Sequence, residues 1–173
     1  RRLKAFPGNT EPLLKTAFID TSALAAVLFK ERAFPAVQNI LGNLDTVRAS
    51  NLLEAEIRSA AARESVDQLE VDSVLSKVTW VLPDRPLSQE LRAVASCGVS
   101  LRGADSWHLA CALYLAGDPA NLPFLTLDGD QALAAERLGF KVLPEAITSS
   151  GGVRESQAAY KENKPRAKNR KKH

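Results

Sequence analysis

Residues 17–24 read Ala-Phe-Ile-Asp-Thr-Ser-Ala-Leu, an apolar run that passes through one acid into a stretch of helical spacing. The run Ala17-Phe18-Ile19 predicts a short buried strand, and the following residues predict a helix over 22–30. Residues 123–128, Pro-Phe-Leu-Thr-Leu-Asp, repeat this arrangement and precede a predicted helix over 131–138. The chain thus contains two predicted strands that each lead through an acid into a helix.

The remainder of residues 16–148 continues the alternation of strand-type and helix-type segments. Further strands are predicted at 47–49, 80–82 and 141–143, and further helices at 34–41, 50–64, 66–76, 88–96 and 104–116. Ser50 is predicted to cap the helix that begins there. Strands alternating with helices are typical of an α/β fold, in which helices flank a central, mostly parallel sheet.

The composition favours one domain without cross-links. The chain has 173 residues, of which 45% are apolar, and a domain of this size buries enough surface to fold without disulfides or a structural metal. The two cysteines, Cys97 and Cys111, have no partner Cys or His at ligand spacing, which argues against a disulfide framework and a zinc site. Because no segment resembles a membrane span or a signal peptide, we expect a soluble, cytoplasmic protein with no membrane partner.

Positive charge is concentrated at the carboxyl terminus. Residues 151–173 contain eight Lys or Arg and two Glu, whereas residues 1–150 contain 15 basic and 18 acidic residues. We expect a domain over 16–148, an N-terminal extension over 1–15, and a basic, disordered tail over 149–173. The tail is either a solubilising extension or an auxiliary nucleic-acid contact, since a polycation binds phosphate regardless of sequence. Its candidate nucleic-acid-binding residues are Lys168, Arg170, Lys171 and Lys172.

The acids at the strand ends are candidate ligands. Asp20 follows the first predicted strand and Asp128 follows the fourth, so both lie at the carboxyl ends of their strands. In an open parallel sheet this edge is where ligands bind, and the two carboxylates are expected to share one crevice. The alternative for each is a helix cap, because Asp is common immediately before a helix.

Two helical acids are predicted to face the interior. Glu56 lies within the apolar stripe of its helix, whereas Glu54, about 200° away around the helix axis, faces solvent. Asp105 shares a side of its helix with Leu109 and Ala112. The alternative for Glu56 is a shifted helix register, which would expose its side chain. The alternative for Asp105 is a favourable interaction with the helix dipole, which favours acids in the first turn.

Four carboxylates in one crevice require a positive partner. They would repel one another and raise their pKa values unless divalent cations lay between them. Oxygen ligands without a His or Cys cluster select Mg²⁺, with Mn²⁺ as the alternative. Such a centre activates water for hydrolysis of a phosphodiester bond.

The segments that carry these acids, taken in order, resemble the PIN-domain ribonucleases of the VapC toxin type. They are residues 18–24 (FIDTSAL), 56–60 (EIRSA), 101–110 (LRGADSWHLA) and 124–128 (FLTLD), followed by 134–142 (AAERLGFKV). The resemblance implies a PIN-like three-layer fold and Mg²⁺-dependent endonucleolytic cleavage of RNA. It implies catalytic roles for Asp20, Glu56, Asp105 and Asp128, with Asp20, Asp105 and Asp128 as metal ligands. It also implies a homodimer that a small antitoxin protein holds inactive.

Further polar residues accompany these acids. Ser22 is expected to bond water or the metal shell, with a helix cap as the alternative, and Thr126 to orient a carboxylate. Asp130 competes with Asp128 for the fourth position, and spacing to Gly139 favours Asp128. His108 is interpreted as a hydrogen-bonded structural residue. The alternatives to a toxin are a non-catalytic RNA-binding or scaffold protein of the same fold and a housekeeping nuclease.

Overall fold

A five-stranded parallel sheet forms the centre of the protein, whose computed structural model describes residues 15–144. Along the sheet the strands lie in the order β3-β2-β1-β4-β5, and every neighbouring pair is parallel. Their bounds are β1 Thr16–Ile19, β2 Thr46–Ser50, β3 Val78–Val81, β4 Phe124–Leu125 and β5 Val142–Leu143. The predicted α/β class with a central parallel sheet is confirmed.

Seven α-helices flank the sheet in the described residues. They are α1 Thr21–Leu28, α2 Phe34–Leu41, α3 Leu52–Arg63, α4 Gln68–Leu75, α5 Ser88–Ser96, α6 Gly103–Leu115 and α7 Gly129–Arg137. A short 3₁₀ helix, Pro119–Asn121, precedes β4. The prediction that Ser50 caps α3 was wrong, because Ser50 ends β2 and Asn51 is the residue before the helix. The hydroxyl of Ser50 bonds a histidine instead.

Alternation along the central strands produces two buried faces and hence three layers. Phe18 and Phe124 lie in one core with residues of α5, α6 and α7, and their rings stack with centroids 5.6 Å apart. Their neighbours Ile19 and Leu125 lie in the opposite core with residues of α1 to α4. Because successive side chains of a strand point to opposite faces, the buried residues 17–19 of β1 and both residues of β4 are apolar.

The strand order reverses direction between β1 and β4. The chain runs from β1 through β2 to β3 on one side, and then returns to place β4 and β5 on the other. Such a reversal leaves a crevice at the carboxyl ends of the two adjacent strands. Asp20 follows β1 directly and Asp128 follows β4 by three residues, so both acids lie at this crevice.

The predicted terminal segments fall almost entirely outside the described residues. This applies to the extension over 1–15, of which only Lys15 is described, and to the tail over 149–173 with its candidate residues Lys168, Arg170, Lys171 and Lys172. Between residues 15 and 144, no helix has the length and apolar character needed to cross a membrane.

Candidate active site at the carboxyl edge of the sheet

Asp20 is a buried acid fixed at the junction of β1 and α1. Its side chain is the N-cap of α1, and Oδ1 accepts hydrogen bonds from the Ala23 amide at 3.2 Å and the Ser22 hydroxyl at 2.9 Å. The residue is only 3% exposed. The cap that was considered an alternative to a ligand role is therefore present, and it occupies one of the two carboxylate oxygens.

Asp128 and Asp105 are joined through a single glutamine. Asp128 caps α7, where its Oδ1 accepts from the Gln131 amide at 2.8 Å. The Gln131 side chain donates from Nε2 to Oδ1 of Asp105 at 3.3 Å, while the Arg102 amide donates to Oδ2 of Asp105 at 3.2 Å. The amino-terminal turns of α6 and α7 thus bring these two acids to one place.

Glu56 is held by side chains of α1 and α6. It lies on α3 next to the buried Ile57, and its Oε2 accepts from the Thr21 hydroxyl and from Nε2 of His108, the latter at 2.8 Å. Glu54, on the other side of α3, pairs at 2.9 Å with Arg58, which also bonds Asp72. Both acids of α3 are half-buried, with side-chain exposed fractions of 31% for Glu56 and 42% for Glu54, and they differ mainly in their partners.

Three of the four carboxylates are held through one oxygen only. Asp20 and Asp128 use Oδ1, and Glu56 uses Oε2. No bond to their second oxygens is seen within residues 15–144, where the single buried side-chain polar atom without a partner is Oε1 of Gln131. The bonds that fix these three acids therefore leave the second oxygen of each one unused.

The acids share an edge without forming a closed ligand set. Among residues 15–144, no three His, Cys, Asp or Glu side chains lie close enough together to hold a metal ion as they stand. Glu56 and Thr21 line an open depression of about 460 Å³ together with Ala55, Ser59, Ala60 and Arg63. A larger cavity, of about 580 Å³, lies between the ends of α1 and α3 and the start of α4.

The pKa values of three acids of the site shift in different directions. Burial raises the pKa of Asp20 to about 6, although the Ser22 bond and the nearby His108 oppose the shift. Burial also raises the pKa of Asp105, against the Arg102 amide bond, and the charge of Asp128 adds to the rise. For Glu56, burial raises the pKa, but the hydrogen bonds from His108 and Thr21 lower it by more and leave the pKa below its ordinary value. The site therefore combines an acid that is readily protonated with one that stays ionised.

The polar residues beside the acids differ in part from expectation. Ser22 is not a helix cap, since its hydroxyl donates to Asp20 and accepts from the Leu127 amide at 2.8 Å. Thr126 accepts from the Asp128 amide at 3.0 Å, so it fixes the backbone of that turn and does not bond a carboxylate. Because this bond fixes the turn that carries Asp128, the expected role of Thr126 in orienting a carboxylate stays a prediction. Asp130 is exposed in the first turn of α7, where Asp128 holds the cap.

Four residues of the site had not been identified as part of it. Thr21, Ser50, His108 and Gln131 contact the acids directly or through one another. Gln131 and His108 had a detectable signal, because each places a polar side chain on the buried face of its helix. Thr21 and Ser50 carried no such signal, since their partners are 35 and 58 residues distant in the chain.

Comparison with known proteins agrees with this architecture. The family model described as PIN domain matches residues 17–137, from β1 to the end of α7, and the matched span includes all four acids. No curated protein matches the chain. The family match extends over well more than half of the 173 residues. The chain therefore belongs to the PIN domain family.

Proposed function

We propose that this chain is a metal-dependent endoribonuclease that uses Mg²⁺, or alternatively Mn²⁺, to hydrolyse RNA phosphodiester bonds. PIN domains are generally nucleases, which supports a hydrolase activity for the chain. The observation that carries the proposal is the position of Asp20 and Asp128 at the β1–β4 crevice, with Asp105 joined to Asp128 through Gln131. Binding of a cation explains why several acids lie together at the edge of the sheet where ligands bind.

PIN nucleases generally use divalent metal ions, and the residues present suit such an ion. The donors are carboxylate oxygens, which hard cations prefer, and the buried Oε1 of Gln131 is an unused acceptor beside Asp105. Cys111 is no competing ligand, because burial raises the pKa of its thiol to about 12. Asp20, Asp105 and Asp128 would hold the ion.

Each part of the chain then has a distinct task. A bound divalent cation supplies positive charge that activates water and stabilises the leaving oxygen. Asp20 and Asp128 would bind the ion through oxygens that the caps leave unused, so binding need not break those helix termini. Both oxygens of Asp105 already accept hydrogen bonds, from Gln131 and from the Arg102 amide, and Asp105 would share one of them with the ion. Glu56 remains ionised and can accept a proton from the attacking water. Ser22 ties the Asp20 segment to the turn before Asp128 and keeps the two strand ends together.

The finer role that we propose is that of the toxin in a type II toxin–antitoxin pair acting in the cytoplasm. This follows from the resemblance of residues 18–24 and 101–110 to VapC-type sequences. The homodimer and the small antitoxin protein are proposed on the same resemblance. Expression without the neighbouring small gene should arrest growth, whereas Asp105→Asn should not. Harmless expression of the folded wild type as a monomer would favour a housekeeping nuclease.

Cleavage of total RNA tests the enzymatic proposal. The purified chain should cut RNA with Mg²⁺ or Mn²⁺, stop when EDTA is added, and yield defined ends on cut-site mapping. Asp105→Asn should lose at least about 100-fold in rate while keeping the circular dichroism spectrum and melting profile of a folded protein. RNA retained without being cut would instead identify a non-catalytic RNA-binding protein of this fold.

A further inference from the structure

His108 links the candidate site to the interior of the protein. The residue lies on α6 and is only 1% exposed, so its ring is buried, and both ring nitrogens have partners. Nδ1 lies 2.8 Å from the Ser50 hydroxyl at the end of β2, and Nε2 lies 2.8 Å from Oε2 of Glu56 on α3. The Thr21 hydroxyl at the start of α1 lies 3.3 Å from the same Nε2. One ring therefore connects four elements.

The partners determine where the ring proton lies. An ionised Glu56 can only accept, so Nε2 of His108 must carry the proton that bonds Oε2. In the neutral ring Nδ1 is then an acceptor, and the Ser50 hydroxyl is able to donate to it. Ser50 thus favours the tautomer in which His108 donates to Glu56.

Two donors converge on one oxygen of Glu56. Thr21 and His108 both donate to Oε2, and no bond to Oε1 is seen in the described part of the chain. Glu56 also lines the open depression beside Thr21. A glutamate on a helix surface would otherwise lose side-chain freedom when it engages a substrate, and this clamp removes that freedom in advance.

We propose that His108, with Thr21, is a positioning residue that holds Glu56 by Oε2 and leaves Oε1 to face the reacting water. The proposal rests on the nuclease function proposed above. The competing interpretation is that His108 only fills a polar gap between β2 and α6, in which case its bond to Ser50 would matter as much as its bond to Glu56. The two interpretations differ in which ring nitrogen is required.

Two substitutions of His108 test the roles of its two ring nitrogens separately. In His108→Gln the side-chain amide can reach the position of Nε2, which preserves a donor to Glu56 and loses the Ser50 bond. In His108→Asn the shorter amide can reach the position of Nδ1, which preserves the Ser50 bond and loses the donor to Glu56. On an RNA oligonucleotide that contains a mapped cut site, we expect kcat within about 5-fold of wild type for His108→Gln. For His108→Asn we expect a loss of about 10- to 100-fold with an unchanged KM.

Stability and a second variant guard against a folding artefact. Both substitutions should melt at similar temperatures, since each keeps one of the two bonds. Thr21→Val, at a half-buried position, removes the other donor and should lower kcat without changing KM, but should cause no further loss in a Glu56→Gln background. Equal losses in His108→Gln and His108→Asn, or an additive effect of Thr21→Val, would overturn the positioning role.

A readout independent of cleavage separates this proposal from the proposed function. NMR titration of the Glu56 carboxyl carbon should give a depressed pKa in the wild type and in His108→Gln, and a higher pKa in His108→Asn. An unchanged Glu56 pKa in His108→Asn would overturn the clamp. A wild type that cuts no RNA would overturn the nuclease proposal, while this titration would still decide whether His108 positions Glu56.

Discussion

At the scale of single residues, the buried charge of Asp20 lowers the stability of the metal-free protein at neutral pH. Burial raises its pKa from 3.8 to about 6, so the folded protein binds this proton more tightly than the unfolded chain does. The contribution of Asp20 to stability is therefore complete below about pH 4 and is lost as the pH rises through about 6. At neutral pH, the ionised side chain opposes folding unless a cation binds it.

Asp20→Asn should consequently stabilise the metal-free protein at pH 7.5. The asparagine oxygen can still accept the Ser22 and Ala23 bonds, while the buried charge is removed. A pKa unit corresponds to about 1.4 kcal/mol, so the gain should be at most about 3 kcal/mol and should vanish below about pH 4. Chemical denaturation in EDTA at the two pH values measures it. A gain of equal size at both values would show that burial of charge is not the cause.

Glu56 and Glu54 form a matched pair of acids on α3. Glu56→Gln should reduce RNA cleavage by about 100-fold or more, because it removes the ionised group held by Thr21 and His108. Glu54→Gln alters only a partly exposed ion pair with Arg58 and should leave the rate within about 2-fold of wild type. Initial rates on the same RNA measure both. Equal rates in the two variants would contradict the role proposed for Glu56.

Helical periodicity is a local property, so the sequence alone could place Glu56 and Glu54 on different sides of their helix. A two-residue step turns a side chain to the other side of a helix whatever the tertiary structure is. The contact of Ser50 with His108 could not be predicted in this way, since it depends on how β2 and α6 pack. Ser50 was assigned to a helix cap because a serine before a helix usually has that role, whereas here the strand continues through it.

At the scale of elements, α6 and α7 meet through the side chain of Gln131. The residue is fully buried, its Nε2 donates to Asp105, and its Oε1 has no partner within the described residues. A buried amide with an unused oxygen destabilises a protein, so its presence indicates a requirement other than packing. Orientation of Asp105 is the requirement that fits the observed bond.

Gln131→Met should therefore affect stability and activity in opposite directions. Methionine has a similar length and no polar atom, so the free energy of unfolding should stay equal or rise by about 1 kcal/mol. Loss of the bond to Asp105 should lower the cleavage rate by about 10-fold or more. Thermal unfolding and RNA cleavage of the same preparation test this. A variant that is less stable and fully active would assign Gln131 to the core alone.

Element boundaries were predictable where local chemistry determines them. The predicted helix over 34–41 coincides with α2, which begins beside Pro35 and ends at Gly42. The predicted strand over 123–127 shortens to Phe124–Leu125, because Thr126 and Leu127 enter the turn tied to Ser22 and Asp128. The bond from Leu127 to Ser22 joins residues 105 positions apart in the chain, so no local pattern predicts it.

At the scale of the whole molecule, the sheet order determines which acids meet. The sequence indicated parallel strands, but it did not give the order β3-β2-β1-β4-β5 that makes β1 and β4 neighbours. That order depends on which helix covers which face of the sheet, a matter of packing between distant segments. The proximity of Asp20 and Asp128 therefore had to be inferred from the general behaviour of α/β sheets.

The charge distribution also belongs to this scale and leads to a test of the tail. Residues 151–173 carry eight Lys or Arg and two Glu, beside a body with more acidic than basic residues. Contacts between a polycation and RNA release counterions, so they strengthen binding at low salt and fade as salt rises. They include no carboxylate cluster and should not change which bond is cut. Deletion of residues 151–173 should therefore weaken RNA binding at low salt and preserve the cut sites.

A full-length control separates charge from length. Replacement of Lys168, Arg170, Lys171 and Lys172 by Gln removes four charges and keeps every residue position. If each cation contacts one phosphate of single-stranded RNA, the slope of log K against log salt should flatten by up to about 3. Fluorescence anisotropy with EDTA present, at several salt concentrations, measures this slope without cleavage. An unchanged slope would show that the tail does not bind RNA, and altered cut sites would make it a specificity element.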